Sequence, residues 1–251
     1  MAKLLSVFFR LFLLVIFVCG IFLFTIYTIK YRNIRDIVIY ISSHIYPFEQ
    51  NKINSKHYSN IVQKYAKDNS ALEGGLTVFV GDSYVNKFDF NIHLLNCNSI
   101  VNRGIDGDTT IGLLLRLDKN VNDIQPRNVF LMVGYNDIRF RNVDDILNNY
   151  IKILKNISAK NIFVFSLLPV HKDRSWVNKR INSLNCEIKK ISVQEGAEYI
   201  DLYSSFVNPE TGGIFDDYTS EGTHLTPSGY LLWTNVLRSF LQRIENDITE
   251  N

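Results

Sequence analysis

Five short apolar runs recur along the chain, and stretches with helical spacing fill the intervals between and after them. The runs are Leu76 to Val80 (LTVFV), Asn98 to Asn102 (NSIVN), Asn128 to Val133 (NVFLMV), Asn161 to Leu168 (NIFVFSLL) and Ala197 to Leu202 (AEYIDL). Continuous apolar runs of this length suit strands buried on both faces. Helical patterns follow at Ile111 to Leu117, Val143 to Lys155, Trp176 to Gln194 and Ser228 to Ile244, and a mixed segment from Tyr84 to Leu95 can be helical as well. Strands that alternate with helices predict an α/β fold with a five-stranded parallel sheet covered on both sides. Right-handed crossovers make the doubly wound order 2-1-3-4-5 the natural topology. That order sets the carboxyl ends of the first three strands side by side, where ligands bind in open α/β sheets.

Those ends carry chemistry. Gly81-Asp82-Ser83 closes the first run, Asn102-Arg103-Gly104 the second and Gly134-Tyr135-Asn136-Asp137 the third, while Glu221-Gly222-Thr223-His224 stands before the last helix. Ser83, at a strand end and a helix start, suits a nucleophile; the tripeptide taken alone reads more readily as a turn at Gly81 and a helix cap at Ser83. A glycine after a strand lets backbone approach a ligand, so the Gly104 N–H is a candidate donor. Asp108 or Thr109 then caps the following helix. Asn136 offers a neutral amide that can meet an oxyanion without protonating it, and Asp137 reads as a loop-holding residue. His224 can take and return a proton near neutral pH, with Glu221 as the acceptor that orients its other ring nitrogen. His44, His57, His93 and His171 lack such company and read as structural or exposed.

In this order the blocks resemble the SGNH hydrolase superfamily, also called GDSL esterases and lipases. The stretch Val80 to Ile138, with VGDS, NRGIDGDTT and VFLMVGYNDI, is similar to its esterase branch. The resemblance covers roughly residues 76 to 245. It implies a flavodoxin-like three-layer α/β/α domain, Ser83 as nucleophile, His224 as base, and an oxyanion hole formed by the N–H groups of Ser83 and Gly104 with Asn136. It implies no metal or organic cofactor. Two positions depart from the family pattern: Glu221 stands where an aspartate is usual, and Tyr135 where a smaller residue is frequent. Tyr135 either lines the acyl pocket or packs.

The expected activity is therefore ester hydrolysis through an acyl-enzyme, with an ester as the partner molecule. A short acyl group on a carbohydrate or other cell-envelope substrate is the favoured expectation, because Tyr135 can crowd the acyl side and no long apolar lid follows the serine. A lysophospholipid or other lipid ester, and acyl transfer to an acceptor other than water, use the same residues. A non-catalytic glycan-binding or envelope-assembly domain is the reading from another class; the retention of both Ser83 and His224 argues against it.

Residues 1–30 form a separate unit. Leu11 to Ile29 is a run of 19 residues without a charge, long enough to cross about 30 Å of hydrocarbon as a helix. It lacks the small-residue cleavage site of a secretory signal, so an uncleaved single-pass anchor is expected. Basic residues flank it almost evenly, so the expected extracytoplasmic placement of the enzyme rests on architecture and not on charge. Residues 31–75 then form a linker with a packing helix over Ser55 to Asn69, and residues 76–251 the hydrolase domain. With 27 Lys and Arg against 25 Asp and Glu, the net charge is +2, and the charges are dispersed; this excludes a basic nucleic-acid-binding face. Three cysteines leave a pairing of Cys97 with Cys186 open, Cys19 lying inside the span. Oligomeric state is not legible.

Overall fold

The computed structural model describes Ile53, residues 55–90 and residues 99–249. The predicted span Leu11–Ile29, most of the linker, His44, His93 and Cys97 lie outside them. Among the described residues no helix is long and apolar enough to cross a membrane.

The five strands are β1 (Thr77–Gly81), β2 (Ile100–Gly104), β3 (Asn128–Met132), β4 (Asn161–Phe165) and β5 (Glu198–Ile200). They make one parallel sheet in the order β2-β1-β3-β4-β5, as expected. Phe79, Phe130 and Phe163 are register partners across three strands. Their rings stack with centroids 4.5 Å apart at each step. Such cross-strand pairs fix register, because a slip of one residue would turn every ring to the other face.

Among the described residues the α-helices are α1 (Lys56–Asn69), α2 (Ser83–Asn86), α3 (Thr110–Asn120), α4 (Val143–Asn156), α5 (Ser175–Gln194), α6 (Tyr203–Phe206) and α7 (Pro227–Thr249). Helices α1, α3, α4 and α5 pack side by side in that order. On the phenylalanine face, α7 sets the fully buried Trp233 edge-on against Phe165 and Phe88. The caps follow the local chemistry: the Ser55 side chain accepts from the Tyr58 N–H, and Thr109 from the Gly112 N–H.

Several elements differ from expectation: β2 runs Ile100–Gly104, two residues later than Asn98 to Asn102, and β5 is Glu198–Ile200, shorter than Ala197 to Leu202. Helix α2 is one turn and stops at Asn86, because the chain then bends to bring Phe88 and Phe90 onto Phe79; residues 91–98 lie outside the described set. Strand β4 ends at Phe165: the Ser166 N–H still donates to the Ile200 carbonyl, and beyond it side chains replace strand neighbours. The Ser166 hydroxyl accepts from the Leu202 and Tyr203 N–H groups. Asn185 of α5 bonds both the N–H and the carbonyl of Leu167, and Asn178 does the same for Val170. Each amide stands in for a missing strand neighbour, so the buried backbone stays satisfied.

Candidate active site

β1 ends where only glycine fits: a Cβ on Gly81 would lie 1.8 Å from the Met132 carbonyl oxygen. The next residue, Asp82, is fully buried and caps α2 by accepting from the Tyr84 N–H at 3.1 Å. Its other oxygen has no hydrogen-bond partner among the described residues. Burial pushes its carboxyl up to about 8, with Asp108 and Asp137 adding to the rise and the Tyr84 N–H opposing it. Ser83 opens the short helix and is 8% exposed.

His224 reaches Ser83 across 141 residues of chain. Its Nε2 lies 3.1 Å from Ser83 Oγ, and its Nδ1 is in hydrogen-bond contact with Glu221 Oε1. The glutamate, exposed to solvent, is held below the usual carboxylate range by that hydrogen bond and by the imidazole's charge. The loop that carries the histidine is fixed at several points. Thr219 and Leu225 pair as an isolated bridge. Gly222 adopts φ +81° and its carbonyl accepts from the His171 N–H; a Cβ there would lie 2.8 Å from His171 Cβ. The Thr223 carbonyl accepts from Tyr84 Oη at 2.9 Å, and Thr223 Oγ1 accepts from Arg174 Nη1 at 2.6 Å. Tyr84 thus joins the residue after the serine to the residue before the histidine. Burial keeps its phenol protonated, well above its ordinary value. Nothing in the sequence marks this role, since a tyrosine beside Ser83 reads as a packing residue.

The other predicted site residues fall at neighbouring strand ends. Asn136 follows β3, and its Nδ2 donates to the Asp108 carbonyl at 2.9 Å. That leaves its second amide hydrogen available to a substrate. Asp137 holds the start of α3 by accepting from Thr110 N–H and Oγ1 at 2.9 and 2.6 Å, and it forms an ion pair with Arg141. Tyr135 is half-buried and meets the Tyr84 ring edge-on, centroids 6.0 Å apart, so it packs against the serine turn.

Gly104 needs correction. Its N–H does not point free into the site: it donates to Asn102 Oδ1 at 2.8 Å, and its carbonyl accepts from Tyr65 of α1. The glycine is required instead for close packing, because a Cβ would lie 2.3 Å from the Asn86 amide nitrogen. Asn102 completes this join by donating to the Val85 carbonyl at 2.8 Å. Gly107, three residues on, is the better-placed donor. It sits at φ +69° inside a turn closed by the Asp108 N–H on the Ile105 carbonyl. No backbone carbonyl among the described residues accepts from its own N–H. Its neighbours are tied to the site on both sides. Asp106 accepts from Asn86 of the serine turn, and the Asp108 carbonyl accepts from Asn136. The second glycine of NRGIDG was visible in the sequence, but only the hydrogen bonds tell the two apart.

Of the remaining histidines, His57 is exposed, and His171 pairs with Asp173 and Asp216 beside the catalytic loop. An open cleft of about 400 Å³ lies there, walled by His171, Arg174, Asp216 and Glu221. Among the described residues no cluster of His, Cys, Asp or Glu could hold a metal ion. Cys186 is a free, exposed thiol.

A parallel sheet with a serine, a histidine and a carboxylate joined at its carboxyl edge defines an α/β hydrolytic enzyme of the serine type. The chain belongs to the GDSL-like lipase/acylhydrolase family, whose model matches residues 78–232, and it is accordingly a carboxylic ester hydrolase. No curated protein sequence matches it. Among solved structures it is similar to a Streptococcus pneumoniae protein described as a platelet activating factor, at 24% identity and TM-score 0.65, covering 82% of this chain and 99% of that one. A GDSL-like lipase from Bacteroides thetaiotaomicron matches at 22% identity and TM-score 0.64, covering 73% and 98%. An acetylxylan esterase from Geobacillus stearothermophilus matches at 16% identity and TM-score 0.57, covering 66% and 94%. Likeness at these identities establishes the fold.

Proposed function

We propose that the protein is a serine esterase that removes a short acyl group, most simply acetyl, from a carbohydrate or other cell-envelope substrate. The observation that carries the mechanism is the line Glu221–His224–Ser83, with the imidazole bonded at one nitrogen and 3.1 Å from the serine oxygen at the other. His224 Nε2 takes the Ser83 proton as Oγ attacks the ester carbonyl. The carbonyl π electrons move onto oxygen, where the N–H groups of Ser83 and Gly107 and the Asn136 amide meet the charge. Collapse of the intermediate expels the alcohol, which takes the proton from His224. Water, deprotonated by the same histidine, then attacks the acyl-enzyme and releases the acid and Ser83.

Two observations support the substrate class. The cleft beside the catalytic loop is walled by polar and charged side chains, which suits a hydroxylated leaving group better than a lipid chain. The fold is shared with an acetylxylan esterase. The uncharged run Leu11–Ile29 supports a single-pass anchor that holds the enzyme at a membrane, and the placement away from the cytoplasm follows the usual architecture of a hydrolase on an N-terminal anchor. Hydrolysis of p-nitrophenyl acetate, butyrate and octanoate tests the acyl preference. The acetate should give the highest kcat/KM; a clear preference for octanoate would replace this reading with a lipid esterase. Carbonate extraction of membranes from the expressing cells tests the anchor: the full chain should stay in the pellet, and release into the supernatant would refute it.

A further inference from the structure

We infer that α1, which precedes the family-matched residues 78–232, belongs to the active site, with Tyr58 as a positioning residue for the loop from Gly104 to Asp108. The inference rests on the reading of Gly107 and Asn136 as oxyanion donors. Tyr58 is 6% exposed, and its Oη donates to Asp108 Oδ1 at 2.9 Å. The phenol is held protonated, because burial and the adjacent carboxylate both push it far above its ordinary value. Asp108 is itself buried and fastened from three further sides. Thr109 N–H donates to the same oxygen at 2.9 Å, while Arg116 Nε and Nη2 approach the other at 2.8 and 2.7 Å. Arg116 also reaches the Gly81 carbonyl, at the end of the strand that carries the nucleophile.

What hangs on Asp108 is the donor geometry. Its N–H closes the turn that presents Gly107, and its carbonyl holds the Asn136 amide. A displaced Asp108 therefore moves both donors together. The same helix grips the loop at its other end, where Tyr65 Oη donates to the Gly104 carbonyl at 2.8 Å. Further bonds seat α1 against α3: Asn120 Nδ2 donates to the Val62 carbonyl at 3.0 Å, and Asn69 Nδ2 to the Lys119 carbonyl at 2.8 Å. α3 makes room for this contact at one residue. A Cβ on Gly112 would lie 2.1 Å from Asp108 Oδ1 and 2.9 Å from Tyr58 Oη.

Tyr58→Phe in the full chain isolates the hydroxyl, since the ring and its packing remain. Donors fixed in advance act on the transition state, so their misplacement lowers kcat and leaves KM nearly unchanged. The assay is p-nitrophenyl acetate hydrolysis, with kcat divided by the fraction of Ser83 titrated by a fluorophosphonate. Tyr58→Phe should lose about tenfold in kcat per titrated site, in line with small displacements of catalytic groups, with KM within twofold. Tyr65→Phe should fall in the same direction, and Gln63→Ala, on the exposed side of the same helix, should match wild type. Were Tyr58→Phe not to fold, Tyr65→Phe would carry the test by the same criterion. A merely structural tyrosine would lower the titrated fraction and leave kcat per site intact; kcat per site within twofold of wild type in the folded tyrosine variants would overturn the inference. Full activity in Ser83→Ala would instead sink the hydrolase reading, whatever the tyrosine variants do.

Discussion

Asp82 links the stability of the fold to pH through a single buried group. It has no exposed surface, one oxygen bonded to the Tyr84 N–H and the other without a hydrogen-bond partner among the described residues. Its carboxyl is raised from 3.8 to about 8, chiefly by burial. The folded chain therefore holds this proton, and the unfolded chain releases it, across the window from pH 4 to pH 8. Stability from this group is complete below pH 4 and is lost as pH rises toward 8. The slope is at most about 1.4 kcal/mol per pH unit, so the loss from pH 5 to pH 7 is about 3 kcal/mol. Asp82→Asn keeps the acceptor for Tyr84 and mimics the neutral acid, yet cannot ionise. Urea unfolding of both proteins at pH 5, 6 and 7 reads the difference directly. Wild type should lose about 3 kcal/mol relative to the variant over that range. A gap between the two proteins that stays constant with pH would refute the reasoning, because Asp82 would then titrate alike in both states.

Two further predictions follow from the same geometry. Asn136→Ala removes one proposed oxyanion donor and the bond to the Asp108 carbonyl, so kcat on p-nitrophenyl acetate should fall by about 10²–10³; a loss confined to KM would assign Asn136 to substrate binding instead. Gly112→Ala sets helix propensity against packing. Propensity alone favours alanine by about 1 kcal/mol, but the Cβ would strike Asp108 Oδ1, so the urea midpoint should drop; a higher midpoint would mean that Asp108 and Tyr58 can move aside without cost.

Much of this architecture could be read in the sequence because its causes are local. Runs such as Val129 to Val133 are apolar throughout, as strands buried on both faces must be, and β3 follows from that pattern. Ser83, Asn136 and His224 stand at strand ends or in a loop where the residue type itself states the chemistry. What escaped was long-range. Gly104 and Gly107 look alike in the sequence, but the Asn102 side chain takes up the Gly104 N–H while Gly107 sits in a turn at φ +69°. Tyr84 acts on Thr223, 139 residues away, through one hydroxyl. Tyr58 and Tyr65 recur at helical spacing and so read as a packing stripe; their hydroxyls on Asp108 and Gly104 depend on the path of another chain segment. The end of β4 is not legible either, because the Asn185 and Asn178 side chains replace strand neighbours at Leu167 and Val170.

The reactivity of one hydroxyl tests the catalytic line most directly. Full-length protein treated with a fluorophosphonate and mapped by peptide mass spectrometry should carry a single adduct, on Ser83. The adduct should be absent in Ser83→Ala and should form far more slowly in His224→Ala. Label on another residue, or labelling of Ser83 at an undiminished rate without His224, would contradict an imidazole-activated serine at this site.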